Sequence, residues 1–282
     1  MFWALRMVIG GREFADGSRR YIVGILNVTP DSFSDGGKWK TLDDALFHAE
    51  AMIFDGADII DVGGESTRPG YISISPQEEI DRTAPVIEAL RKRLDVPISI
   101  DTCKSAVAKA ALALGADMVN DIWGLKRDPE MAAVISDAGA ACCLMHNRNS
   151  AEYTDFFCEM LSDLETSAAI AAAAGIGADK IMLDPGIGFG KTYAMNLEAI
   201  NNIGLIRKLG YPVLLGVSRK SVVGLALGLP VNERLEGSIA AAVIGAVRGC
   251  SFLRVHDVKE TRRALTMTEA ILGAEQPIRY GG

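Results

Sequence analysis

Gly177-Ala-Asp-Lys-Ile-Met-Leu-Asp184-Pro-Gly-Ile-Gly-Phe-Gly-Lys-Thr192 is the stretch on which the fold turns. Ile181, Met182 and Leu183 run into Asp184, and Pro185 and three glycines follow. A short apolar run of this kind predicts a strand buried on both faces, stopped by Pro185 and Gly186. Asp184 then stands where a buried strand emerges, which is where parallel α/β folds place their chemistry. Gly186 to Thr192 is not a P-loop, because the first glycine of G-x-x-x-x-G-K-[ST] would fall at Pro185. Nor does G-x-G-x-G fit the dinucleotide fingerprint. The glycines instead let a flat ligand approach the backbone beside a buried carboxylate.

The same unit recurs outward from this stretch: a helix-ending glycine, a short apolar strand and a polar residue at its end. Gly56-Ala-Asp-Ile-Ile-Asp61 and Gly115-Ala-Asp-Met-Val-Asn120 are close copies. Segments 139–145, 210–216 and 249–254 are looser ones. With 22–27 and 98–101 the strand count is eight. Helical patterns fill the gaps at 42–55, 76–94, 104–114, 128–138, 155–174, 194–209, 232–248 and 259–272. Alternating strands and helices over this length predict a (β/α)8 TIM barrel, with a doubly wound open sheet as the runner-up. No composition break divides the chain, so residues 1–282 read as one domain. Before the barrel, Met7 to Ile25 reads as a hairpin turning at Asp16-Gly17.

A net charge of −7 argues against nucleic acid or an anionic membrane surface as partner. An anionic ligand would need a local cluster of cations. Cys103, Cys142, Cys143, Cys158 and Cys250 contain no C-x-x-C pair and read as reduced thiols. Arg6 interrupts the N-terminal apolar run, and Ile239 to Val247 falls short of the ~18 residues that span a bilayer. The expectation is a soluble cytoplasmic protein.

In a barrel the polar strand ends converge on one mouth. They are Asn27, Asp61, Asp101, Asn120, Met145-His146, Asp184, Ser218-Arg219-Lys220 and Arg254 with His256. Asp101, Asn120 and Asp184 suit an amino- and amide-bearing heterocycle, whereas Lys220, Arg254 and His256 suit phosphate or carboxylate. Two glycine-bearing loops, 28–37 with Phe33 and 63–70 with Thr67 and Arg68, join the mouth. His48 falls inside a helix and reads as a packing or surface residue. His146 and His256 lie on different strands, so they are no helical zinc pair.

These segments resemble the dihydropteroate synthase family. Residues 26–37 and 61–70 are similar to its two signature loops. Segments 99–102, 120–123, 144–148, 184–191, 218–221 and 254–257 match it in order. The resemblance implies a pterin-binding TIM barrel that joins 4-aminobenzoate to 6-hydroxymethyl-7,8-dihydropterin diphosphate with the help of Mg2+. It implies a homodimer of folate biosynthesis, blocked by sulfonamides. By the same resemblance Asp101, Asn120, Ile122, Met145, Asp184, Phe189, Gly216, Lys220 and Arg254 bind pterin. Asn27, Thr67, Arg68, Arg254 and His256 would take the diphosphate, and Asn27 the metal. Phe33, Thr67, Arg68, Pro69, Lys220 and Ser221 would line the aminobenzoate site, with Asp101, Lys220, Asn27 and Arg254 carrying catalysis. C–O cleavage ahead of amine attack is implied, with Asp101 stabilising the developing charge. Two rivals share the barrel: a methyl-folate-binding module of a corrinoid methyltransferase, and an aldolase using Lys220 as a Schiff base beside Arg219. The first has no use for a diphosphate site, and the second would be trapped by borohydride.

Overall fold

The computed structural model describes residues 6–15, 19–29, 42–65 and 73–273. Strands β1 (Arg6–Ile9) and β2 (Arg12–Ala15) form a hairpin. The barrel strands are β3 (Tyr21–Asn27), β4 (Ile59–Gly63), β5 (Ile98–Asp101), β6 (Met118–Asp121), β7 (Ala141–Met145), β8 (Ile181–Asp184), β9 (Leu214–Leu215) and β10 (Phe252–Val255). They make one parallel sheet in the order β8-β7-β6-β5-β4-β3-β10-β9. Its edges meet where Leu183 bridges Val213 and the Leu183 amide donates to the Pro212 carbonyl at 3.0 Å. The TIM barrel expected from the sequence is therefore the fold.

Each strand is apolar outward because a layer of helices covers it, and the inward positions change character along the barrel axis. In β8, Ile181 and Leu183 belong to the core under the helices, and Met182 to a second core inside the barrel. That inner core also takes Val23, Ile59, Met118, Cys143, Leu214 and Phe252, and Met7, Ile9 and Phe14 of the hairpin plug it from below. The Phe14, Tyr21 and Phe252 rings lie 5.0–5.7 Å apart, centroid to centroid, and make the floor. Two residues further along each strand the inward side chains are Asp61, Asp101, Asn120, Asp184 and Arg254, a polar layer on an apolar plug.

The expected N-terminal hairpin is present, but it is shorter and turns at a different place. It turns at Gly10-Gly11, with Ile9 opposite Arg12 and φ of +57° and +74°. A two-residue turn with both φ values positive matches the strands' twist, and glycine adopts it without strain. Tyr21 to Val23 belongs to the barrel instead, and Asp16-Gly17 lies outside the described residues. The helix expected at 194–209 is two, Tyr193–Asn201 and Ile203–Arg207, broken at Asn202 (φ −110°, ψ 22°). A further helix, Ser221–Leu227, was not anticipated. It ends at Gly228 in the left-handed conformation. Helix 232–248 starts later, at Leu235, after a 3-10 turn, and 128–138 shortens to Met131–Asp137. No helix among the described residues is long and apolar enough to cross a membrane.

Candidate active site

Arg254 organises the polar layer. Its Nε donates to Asp61 Oδ2 and its Nη2 to Asp101 Oδ2, both at 2.6 Å. Asn120 Nδ2 donates to the same Asp61 oxygen at 3.3 Å. Asp61 is wholly buried, and Asp101, Asn120 and Asp184 nearly so. Burial works against the Arg254 charge, but Asp61 and Asp101 more than offset it and hold the guanidinium above its ordinary range. Burial pushes the Asp101 carboxyl up to about 7, Arg254 opposing and Asp61 adding to the rise. Asp101 Oδ1 and Asp61 Oδ1 are buried without a hydrogen-bond partner among the described residues. A buried acceptor left open in this way calls for a donor, and a ligand at the mouth can bring one.

Asp184 is held differently. Its Oδ1 accepts from the Gly186 amide at 2.7 Å, and its Oδ2 lies toward Gly216. Gly186 has φ +68°, and a Cβ there would stand 2.0 Å from the His146 carbonyl oxygen, so the turn requires glycine. Lys220 Nζ donates to the Ile187 carbonyl at 2.6 Å and lies 4.8 Å above the Phe189 ring centre. Burial lowers Lys220 to about 8, with Asp184 pulling it back up. Burial raises Asp184, and Lys220 opposes that shift. Gly216 keeps their shared space open. A Cβ there would sit 3.7 Å from Lys220 Nζ, 3.8 Å from Asp184 Oδ2 and 3.9 Å from Arg254 Cβ.

One wall of this space is apolar. Cys103, Ile122 and Met145 are buried together, and Trp123 and Phe189 pack against them. A slot with an apolar wall and acids along its rim suits a flat ring with several N–H donors. Asn27 ends β3, and its Oδ1 lies 3.3 Å from where a Gly63 Cβ would be, with the Asp101 side chain alongside. His256 Nδ1 is 3.0 Å from Ser218 Oγ. Ser221 is exposed at the first position of helix Ser221–Leu227. Phe33, Thr67, Arg68 and Pro69 lie outside the described residues.

Two strand-end residues do not join the mouth. His146 is completely buried behind β7 and β8, between Lys191 and Asp163. The residue after an inward Met145 points the other way. Arg219 turns to Asp257, donating through Nε at 3.0 Å. Conversely, sequence reasoning gave Asp61 no role beyond a strand end, although it is the fully buried partner of Arg254. Its only signal was an acid closing an otherwise apolar strand. Among the described residues no group of three His, Cys, Asp or Glu is arranged to hold a metal.

A closed barrel with this slot and rim is built to take a flat, donor-rich ring. Residues 23–256 match the family described as pterin binding enzyme. The particular branch follows from the relatives. The chain is 55% identical to the dihydropteroate synthase of Clostridium beijerinckii, over 94% of this chain and 99% of that one. It superposes on Clostridium difficile dihydropteroate synthase, crystallised in the presence of pteroic acid, with a TM-score of 0.88 at 50% identity, covering 91% and 98% of the two chains. On the Xanthomonas albilineans enzyme with 4-aminobenzoic acid the TM-score is 0.91 at 39% identity, covering 98% and 100%. The chain belongs to the dihydropteroate synthase family and is a transferase of folate biosynthesis.

Proposed function

We propose that this chain condenses 6-hydroxymethyl-7,8-dihydropterin diphosphate with 4-aminobenzoate to give 7,8-dihydropteroate and diphosphate, by C–O cleavage ahead of amine attack. The observation that carries the reading is the buried Asp101 Oδ1, left without a partner among the described residues beside an apolar wall. Asp184, Asn120 and Asp101 pair with the donor-rich edge of the pterin, while Met145, Ile122 and Phe189 hold its faces. Arg254 spends its Nε–Nη2 edge on Asp61 and Asp101, so the guanidinium is oriented before substrate arrives. With His256, Asn27, Thr67 and Arg68 it takes the diphosphate.

As the C–O bond breaks, the pair of electrons leaves with the diphosphate, and positive charge spreads over the ring. The Asp101 carboxylate stabilises that charge without reorganising. Lys220, between the Asp184 side of the slot and Ser221, lies between the pterin and aminobenzoate subsites. Phe33, Thr67, Arg68 and Pro69 complete the latter, where sulfonamides would compete. Mg2+ takes oxygen ligands and keeps several waters. The Asn27 amide oxygen at the strand end fits such an ion, which when bound would neutralise charge on the leaving diphosphate.

The partner is a second copy of this chain. Leu225, Leu227, Ile244 and Val247 are exposed on helices Ser221–Leu227 and Leu235–Val247, which pack against each other, and Leu197 is exposed on helix Tyr193–Asn201, which packs against both. Sedimentation of Leu225→Glu beside the parent chain tests it, the parent as dimer and the variant as monomer. Pyrophosphate release that requires both substrates tests the activity. Release with either alone refutes it.

A further inference from the structure

Behind the pterin-facing slot lies a charged cluster that the reaction above does not use. Lys191 Nζ lies 2.7 Å from His146 Nδ1 and 3.0 Å from the carbonyl oxygens of both Gly186 and Phe189. An ammonium has three hydrogens, and these are its three closest acceptors. His146 Nε2 is 3.1 Å from Asp163 Oδ2. A carboxylate oxygen accepts, so Nε2 carries the hydrogen and Nδ1 is left bare to accept from Lys191. Asp163 is fixed in turn by Arg148 Nε at 2.7 Å, and Arg148 Nη1 reaches Glu159 Oε2 at 2.7 Å.

The object of this cluster is the turn 186–190. Gly186, Gly188 and Gly190 have φ of +68°, +87° and +52°. A glycine-rich turn of this kind has many alternative conformations, and its backbone alone does not select one. Its carbonyls are gripped by side chains from outside: Gly186 and Phe189 by Lys191, Ile187 by Lys220 and Gly190 by the Tyr153 hydroxyl at 2.7 Å. The Gly188 amide donates to Asn196 Oδ1 at 2.7 Å. Phe189, which closes the slot, rides on this turn, and Asp184 is bonded to its first amide.

We infer that Lys191 is a positioning residue: tied through His146 to Asp163, it selects the one conformation of the 186–190 turn in which Asp184 and Phe189 both meet the pterin. The inference rests on the pterin reading of the slot. Lys191 is strongly desolvated, and burial lowers it to about 7 although Asp184 opposes the shift. Burial and the Lys191 charge push His146 down to about 3, so the imidazole is neutral and its bare Nδ1 is stable near neutrality. Holding a half-buried cation against that desolvation, where an apolar side chain would fill the same volume, fits a part whose task is to gather carbonyls.

The test compares Lys191→Met, which keeps the length and removes the donors, with Tyr153→Phe, which frees only the Gly190 carbonyl. Calorimetry with 6-hydroxymethylpterin gives the pterin Kd, and steady-state kinetics at saturating pterin diphosphate give the aminobenzoate KM. The Lys191→Met pterin Kd should rise on the order of a hundredfold, the scale of an ångström-sized misplacement. The aminobenzoate KM should stay within about twofold. Tyr153→Phe should shift the pterin Kd the same way by less, and it decides alone if Lys191→Met does not fold. A parental pterin Kd in a folded Lys191→Met, or in Tyr153→Phe when that variant decides, overturns the proposal. So does a parallel loss of both ligands, which marks general destabilisation. A parent chain that fails to bind the pterin refutes the reading of the slot instead.

Discussion

Asp184→Asn separates what the strand-end acid does for the ligand from what it does for the fold. The asparagine can keep its oxygen on the Gly186 amide, the 2.7 Å bond that starts the turn. Its amide nitrogen then replaces Oδ2 and presents a donor where the pterin edge needs an acceptor. A hydrogen bond to a charged group contributes about 1.5–3 kcal/mol, so pterin Kd should rise about ten- to a hundred-fold. Stability should move the other way. Burial raises the Asp184 carboxyl, so the folded chain holds that proton more tightly than the unfolded one. The parent therefore loses stability as pH rises from the ordinary carboxyl range through the folded value, and the variant has no such loss. At pH 8 Asp184→Asn should be at least as stable as the parent, and its advantage should shrink toward pH 4. Asp184→Ala, which also abandons the Gly186 amide, should lose about 1–3 kcal/mol. Urea titrations at the two pH values, with pterin calorimetry at pH 8, measure both. An Asp184→Asn chain that binds pterin like the parent, or that is less stable at pH 8, would refute the reasoning.

Arg254→Met should weaken pyrophosphate binding. It should also cost about 3–5 kcal/mol of stability, because it strands Asp61 and Asp101 as buried unpaired acids; a urea midpoint unchanged from the parent would mean the pair is not coupled to folding. The pH profile of kcat/KM should be a bell. Its acid limb near 7 comes from Asp101, which must be ionised, and its alkaline limb between about 7 and 8 from Lys191 and Lys220, which must both stay charged. Lys220→Met should leave only the part of the alkaline limb near 7, and a limb that stays near 8 would assign it elsewhere. The composition of loops 28–37 and 63–70 further predicts that 4-aminobenzoate binds measurably only after pterin diphosphate or Mg-pyrophosphate. Equal affinity for the free protein in calorimetry would end that idea.

The barrel was legible because its grammar is local. A glycine, a run of apolar residues and a polar strand end can be read wherever they recur, and β4, β6 and β8 read almost alike. The ligand rim was legible for the same reason, since Asp101, Asn120, Asp184 and Arg254 stand at equivalent positions of that unit. What the pattern could not carry was direction and partnership. His146 and Arg219 sit at strand ends as Lys220 does, yet one residue of offset turns each away from the mouth. The hairpin turn went to the stronger turn-forming pair by residue type, Asp16-Gly17, when Gly10-Gly11 was the pair whose flanking strands align. Helix Ser221–Leu227 is only two turns long, too short for its periodicity to show in the sequence.

The residues hardest to read, Asp61 and Lys191, share a physical reason for being so. Neither is placed to touch the ligand. Each holds a residue or turn that does, across separations of 193 residues for Asp61 with Arg254 and 45 for Lys191 with His146. A single chain reveals side chains with chemistry but not the contacts that aim them, and aim is what converts a polar layer into a site. In this barrel the aiming groups are themselves charged and desolvated, so every one removes stability unless its partner is present. A substitution at either residue should therefore report twice, in folding and in ligand binding. A substitution on the exposed rim, at Ser221 for example, should report only in binding.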